Sequence, residues 1–127
     1  MYVFEIKEEL KGDLEKLAKS NKILFEQISI QITAEELKGY LDKGEELFLL
    51  DVRTRGEFSD RHIEGSVNIP IGELETNIEK LPKEREIVAI CAHGIRSARA
   101  TKLLLSRGFK VKNLSGGMES WESANRF

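Results

Sequence analysis

The sequence predicts an α/β domain: a parallel sheet with helices on both faces, preceded by a helical extension. Three observations carry this prediction. Leu47-Phe48-Leu49-Leu50-Asp51-Val52 and Ile87-Val88-Ala89-Ile90 are short, nearly unbroken apolar runs, the pattern of strands covered on both faces rather than on one. Stretches with helical spacing fall between the runs of strand character, an alternation that favours strand-helix-strand units and right-handed crossovers. The chain has 127 residues, 40% of them hydrophobic, which suits one compact domain with its own core.

The elements follow in order. Residues 7–19 place Leu10, Leu14 and Leu17 on one helical stripe, although Gly12 weakens the helix. Ser20 and Asn21 break it, and Ile28, Ile30 and Ile32 then alternate with polar residues as a strand does. Thr33 with Glu36 three residues on forms a capping box for a helix through Leu37, Tyr40 and Leu41, closed by Gly44. After the first buried strand, residues 53–70 are rich in charges and turn formers, with a brief strand at Val67 to Ile69 before Pro70. The spacing predicts a helix over 72–81 ending near Pro82, then the second buried strand, then a helix from Ser97 to Arg107 stopped by Gly108. Val111 to Leu114 form a last strand, and Gly116-Gly117 lead into a terminal helix carrying Trp121.

Composition narrows the function classes. No apolar stretch approaches the roughly 20 residues that a membrane helix requires, and Glu5, Glu8 and Glu9 near the start do not fit a secretory signal, so the expectation is a cytoplasmic protein without membrane partners. A single cysteine excludes an internal disulfide and any zinc site built from several thiolates. The net charge of −2 is unevenly spread. Residues 1–86 hold 13 basic against 20 acidic side chains, residues 119–127 one against two, and residues 87–118 six basic and no acidic ones. That basic segment is either a solvated helix face or a positive surrounding for Cys91, which lies inside it and would be acidified by it. Nucleic acid is a poor partner for a mildly acidic chain with 7% aromatics.

In parallel α/β sheets ligands bind beyond the carboxyl ends of the strands. Cys91 occupies that place: a buried strand, then Cys91-Ala92-His93-Gly94-Ile95-Arg96, then a helix near Ser97. The loop's N–H groups and the helix N-terminus can converge into an anion cradle, with Gly94 permitting the curvature. A thiolate there would be stabilised by those donors, the helix dipole and Arg96. The plain alternative is a small apolar core residue at a strand end. Arg96 can bind an oxyanion or brace the loop, and His93 can touch substrate or be an exposed loop histidine without a duty. Asp51 and Arg53, just after a strand, read as structural residues that fix loops through hydrogen bonds or an ion pair. Glu57, His62, Gly65 and Asn68 read the same way, Ser97 as a helix cap, and Trp121 as core.

The run Cys-x-x-Gly-x-Arg-Ser at Cys91 to Ser97 resembles the active-site loop of the rhodanese superfamily. Leu50-Asp51-Val52-Arg53 with Glu57-Phe58 and His62-Ile63-x-Gly65-Ser66-x-Asn68-Ile69-Pro70 resemble its upstream signature, and Gly116-Gly117-Met118-x-x-Trp121 its C-terminal one. Residue 61 is Arg where the family usually has Gly, and residues 1–27 have no counterpart. The resemblance implies a rhodanese-like domain over 28–127, which leaves 1–27 as an extension; its Leu10, Leu14 and Leu17 stripe needs an apolar cover, either the domain's flank or a second copy in a homodimer. The resemblance also implies a sulfurtransferase that needs no cofactor or metal. The Cys91 thiolate would take the outer sulfur of thiosulfate or a similar small anionic donor and pass it from a persulfide to cyanide, a thiol or a protein acceptor, with residues 92–96 binding substrate. Four residues between Cys91 and Arg96 match the sulfurtransferases; related phosphatases and arsenate reductases carry one more. The alternatives are a persulfide carrier that serves a partner protein and, disfavoured by the shorter loop, a related phosphatase or arsenate reductase.

Overall fold

The computed structural model describes residues 30–125. The expected helix over 7–19, and Ile28 of the first expected strand, lie outside the described residues. Five parallel strands form one sheet in the order β1-β5-β4-β2-β3: β1 Gln31–Ile32, β2 Phe48–Asp51, β3 Val67–Asn68, β4 Ile87–Ile90 and β5 Val111–Leu114. Four α-helices accompany it among the described residues: α1 Ala34–Asp42, α2 Arg55–Asp60, α3 Ile95–Ser106 and α4 Gly117–Ala124.

Side-chain alternation along the strands separates two cores. Ile87, Ala89 and Cys91 of β4 and its continuation join Leu50, Val52, Leu74, Ala100 and Leu104 on one face. Val88 and Ile90 join Leu37, Leu49, Leu114 and Met118 on the other. A strand flanked by helices on both sides has no solvent face, which is why β4 is apolar throughout and every one of its residues is buried. Both faces of β4 and β2 are covered, as the apolar runs predict.

Local chemistry sets most boundaries. Thr33 and Glu36 form the expected capping box, each accepting the other's backbone N–H at 3.0 Å. Gly44, at φ 78°, ends α1 in a Schellman turn: its N–H reaches Leu41 and that of Glu45 reaches Tyr40. Residues 53–70 contain one element that their turn-rich composition conceals. Thr54 and Glu57 form a second capping box that opens α2.

The helix expected over 72–81 is instead a pair of 3₁₀ segments, Ile71–Glu73 and Glu75–Lys80. In an α-helix the Glu73 carbonyl would accept the Asn77 N–H; here it accepts the side chains of Thr76 and Asn77, at 3.0 and 2.7 Å, while the Asn77 N–H bonds to Leu74. Side chains that claim a backbone acceptor in this way tighten the turn. Helix α3 also begins earlier than expected, at Ile95, with Gly94 as its cap residue and no side-chain cap. Ser97 therefore lies inside the first turn and does not cap the helix.

Candidate active site

Cys91 directly follows β4 and is 1% exposed. Its Sγ accepts the Gly94 N–H at 3.0 Å and faces the Ser97 hydroxyl at 3.2 Å. Burial is the largest influence on this thiol and pushes its pKa up. The Ser97 hydroxyl and the backbone N–H groups of Ser97, His93 and Gly94 push the other way, and together they prevail: the pKa lies below the ordinary thiol value. The cradle expected from the strand, loop and helix order is thus present, with donors converging on the sulfur.

Ser97 does more than its place in the helix suggests. Its side chain is fully buried, and its Oγ lies 2.5 Å from Asn113 Oδ1 as well as beside the sulfur. A hydroxyl carries one hydrogen, so Ser97 serves the thiol or the amide at any instant. Asn113 Nδ2 donates to the Gly94 carbonyl and to Gln31 Oε1, both at 3.1 Å. Asn113 is thereby the second support of the loop, and motif reading misses it. The available signal is a polar amide in the short strand Val111–Leu114, where a buried polar group must find partners.

Arg96 braces the loop. Its guanidinium grips Glu57 of α2 with two bonds of 2.7 and 2.9 Å, the bidentate geometry that arginine and carboxylate favour. Arg96, together with the Thr54 bonds, holds the Glu57 carboxyl down at about 2. Glu57 in turn raises Arg96, and the charges of Cys91 and Asp51 add smaller contributions. Because its hydrogen-bonding edge is taken up by Glu57, Arg96 contributes less to the thiolate than the loop's own donors do.

Two glycines bring α4 against the loop. Gly94 has φ 93°, and a Cβ there would lie 3.2 Å from the Gly116 nitrogen. Gly117 has φ 59°, and a Cβ there would lie 2.3 Å from the Cys91 carbonyl oxygen, so only glycine fits. That approach lets the N–H groups of Met118 and Glu119 bond to the carbonyls of Cys91 and Ala92 at 2.8 and 3.1 Å. His93 is exposed, its Nδ1 2.8 Å from Glu119. Ile95 is 73% exposed at the rim.

Asp51 and Arg53 make no hydrogen bond to the sulfur and form a buried ion pair. Asp51 accepts from the Arg53 backbone N–H and from Nε and Nη2, the last at 2.8 Å, and Arg53 also donates to the Arg61 carbonyl. Asn68 bonds to the carbonyls of both residues. His62 stacks on Phe58 with ring centroids 3.9 Å apart. Trp121 packs half-buried against the core face that holds Met118. A hollow of about 610 Å³ bordered by His62, Met118 and Trp121 does not include Cys91 in its lining.

Comparison with known proteins agrees with this geometry. The family model described as a rhodanese-like domain matches residues 33–124. A putative sulfurtransferase of Bacillus subtilis, YtwF, is 38% identical over 96 residues, which cover 76% of this chain and 93% of the relative. The thiosulfate sulfurtransferase GlpE of Coxiella burnetii is 31% identical over 102 residues, covering 80% and 91%. The crystal structure of a rhodanese-related protein from Thermoplasma volcanium superposes with a TM-score of 0.70 at 34% identity, covering 75% of this chain and 92% of that one. Since the matched span runs from the cap of α1 through the last residue of α4, and so takes in every strand but β1 and the whole Cys91 loop, the chain belongs to the rhodanese-like domain family.

Proposed function

We propose that the protein is a sulfurtransferase that carries sulfane sulfur as a persulfide on Cys91. The observation that carries this reading is a single buried sulfur, acidified by converging donors, at the carboxyl end of the central strand. The thiolate attacks the outer sulfur of thiosulfate; a Cys–S bond forms, the sulfur–sulfur bond of the donor breaks, and sulfite leaves with the electron pair. A thiophilic acceptor such as cyanide or a thiol then attacks the outer sulfur of the persulfide, and Cys91 departs as the thiolate. No cofactor enters either half-reaction. The same N–H groups that stabilise the thiolate stabilise the leaving thiolate in the second half, so one cradle serves both directions.

In this reading Arg96 and Glu57 hold the loop in shape, while Ala92, His93 and Ile95 border the substrate. The active unit is residues 28–127, with residues 1–27 serving packing or self-association. The test is mass spectrometry after incubation with thiosulfate. The expected result is one added sulfur on the wild type and none on Cys91→Ser, with ping-pong kinetics between thiosulfate and cyanide. Turnover retained by Cys91→Ser overturns the assignment, because the chain has no other cysteine to hold a persulfide.

A further inference from the structure

Helix α3 begins just beyond the Cys91 loop and carries an exposed stripe, of which the sulfur chemistry uses only Ile95 at the loop rim. Ile95, Arg99 and Lys102 stand at positions i, i+4 and i+7, on one side of the helix, and all three are exposed. Ile95 is the most exposed of the large apolar side chains among the described residues. Of the other cations of the acid-free segment, Arg96 pairs with Glu57, Arg107 with Glu75 and Lys112 with Glu86, while Lys110 lies beyond the end of the helix. Arg99 and Lys102 pair with no carboxylate among the described residues. At 1.5 Å per residue the stripe runs about 10 Å from the loop rim along the helix. Cyanide or a small thiol at Cys91 cannot span that length, whereas a folded or extended polypeptide can.

We propose that Ile95, Arg99 and Lys102 form a docking stripe for an acidic protein that presents a cysteine thiol to the Cys91 persulfide, with an apolar side chain of the partner covering Ile95. This rests on the sulfurtransferase reading and names the class of its acceptor. Charge complementarity selects the occupant: two cations with no carboxylate partner among the described residues, beside an apolar anchor, favour a carboxylate-rich surface. A second copy of this chain, whose residues 1–86 are net acidic, is the competing occupant. In the transfer, the partner's thiolate attacks the outer persulfide sulfur, a new sulfur–sulfur bond forms on the partner, the Cys91 sulfur–sulfur bond breaks, and Cys91 leaves as a thiolate. No oxidant or reductant is required.

The test loads the full-length chain with sulfur from thiosulfate or inorganic polysulfide and follows discharge of the persulfide. The acceptors are two synthetic peptides of equal length, each with one leucine and one cysteine, flanked in one by Asp and Glu and in the other by Lys, with uncharged 2-mercaptoethanol as the small acceptor. The expected result is discharge to the acidic peptide about tenfold faster than to the basic one at low salt, with the difference shrinking at high salt. The pair Arg99→Glu and Lys102→Glu should invert that ratio while the 2-mercaptoethanol rate stays the same. Equal rates for the two peptides, or a ratio indifferent to the charge reversal, overturn the docking stripe and leave sulfur transfer standing. A charge reversal that changes the oligomeric state without changing the peptide ratio assigns the stripe to self-association and overturns the proposal. Failure of Cys91 to load from either donor overturns the sulfurtransferase reading and the docking stripe with it.

Discussion

Replacing Ser97 by alanine removes the one side-chain donor to the Cys91 sulfur among the described residues and leaves the N–H donors in place. A hydrogen bond to a charged group contributes about 1.5–3 kcal/mol. Ser97 shares its hydrogen with Asn113, so the lower end applies, and at 1.36 kcal/mol per unit the thiol pKa should rise by about one unit. The consequence for reactivity has two signs. Below both pKa values the thiolate fraction falls about tenfold, but a more basic thiolate is intrinsically more nucleophilic, with a Brønsted slope of about 0.4–0.5. The alkylation rate should therefore drop only about threefold to fourfold on the acidic limb and rise about threefold on the alkaline plateau. The assay is the rate of iodoacetamide alkylation across pH in wild type, Ser97→Ala and Ser97→Thr, the last restoring a hydroxyl. Crossing profiles with an unchanged Thr variant are expected. An unchanged midpoint in Ser97→Ala would refute the reasoning, because burial and backbone donors alone would then account for the sulfur's acidity.

Asp51→Asn leaves the buried Arg53 cation without its counterion, and loss of one partner of a buried pair destabilises by about 3–5 kcal/mol; urea unfolding should show it, and adding Arg53→Met should recover part of the loss. Glu57 is held at about 2 in the folded chain against an ordinary value of 4.5, so its stabilisation is complete above 4.5 and is lost as the pH falls through about 2. With 35% of its side chain exposed, solvent screening reduces the effect to about 1 kcal/mol. Glu57→Gln should flatten the pH dependence of urea stability between about pH 5 and about pH 2, and an unchanged slope would show that the ion pair does not stabilise the fold. A chain beginning at Ile28 should keep most of its sulfurtransferase turnover while losing stability or changing its size in solution. Lost turnover at unchanged size would place residues 1–27 in the active site.

Those features that depend on neighbours in the chain were legible in the sequence. The apolar runs at 47–52, interrupted only by Asp51, and at 87–90 have the pattern of strands with two buried faces, the Thr33 and Glu36 spacing is that of a capping box, and Gly44 and Gly108 end their helices at positive φ. The Cys91 loop is equally local, since strand, loop glycine and helix follow one another within a dozen residues. The Thr54 and Glu57 capping box was available on the same terms, hidden among turn formers. Only the tertiary structure decided what each polar group does. Arg96 might face solvent, substrate or a carboxylate, and the choice falls to Glu57, 39 positions away. Ser97 reads as a cap until the fold places Asn113 against its hydroxyl. Gly117 reads as a turn residue until α4 comes against the Cys91 carbonyl. The physical reason is range: backbone conformation and capping are settled by contacts within about one helical turn. A buried hydrogen bond or ion pair takes whichever partner the packing brings within about 3 Å, and spacing along the chain does not encode that partner.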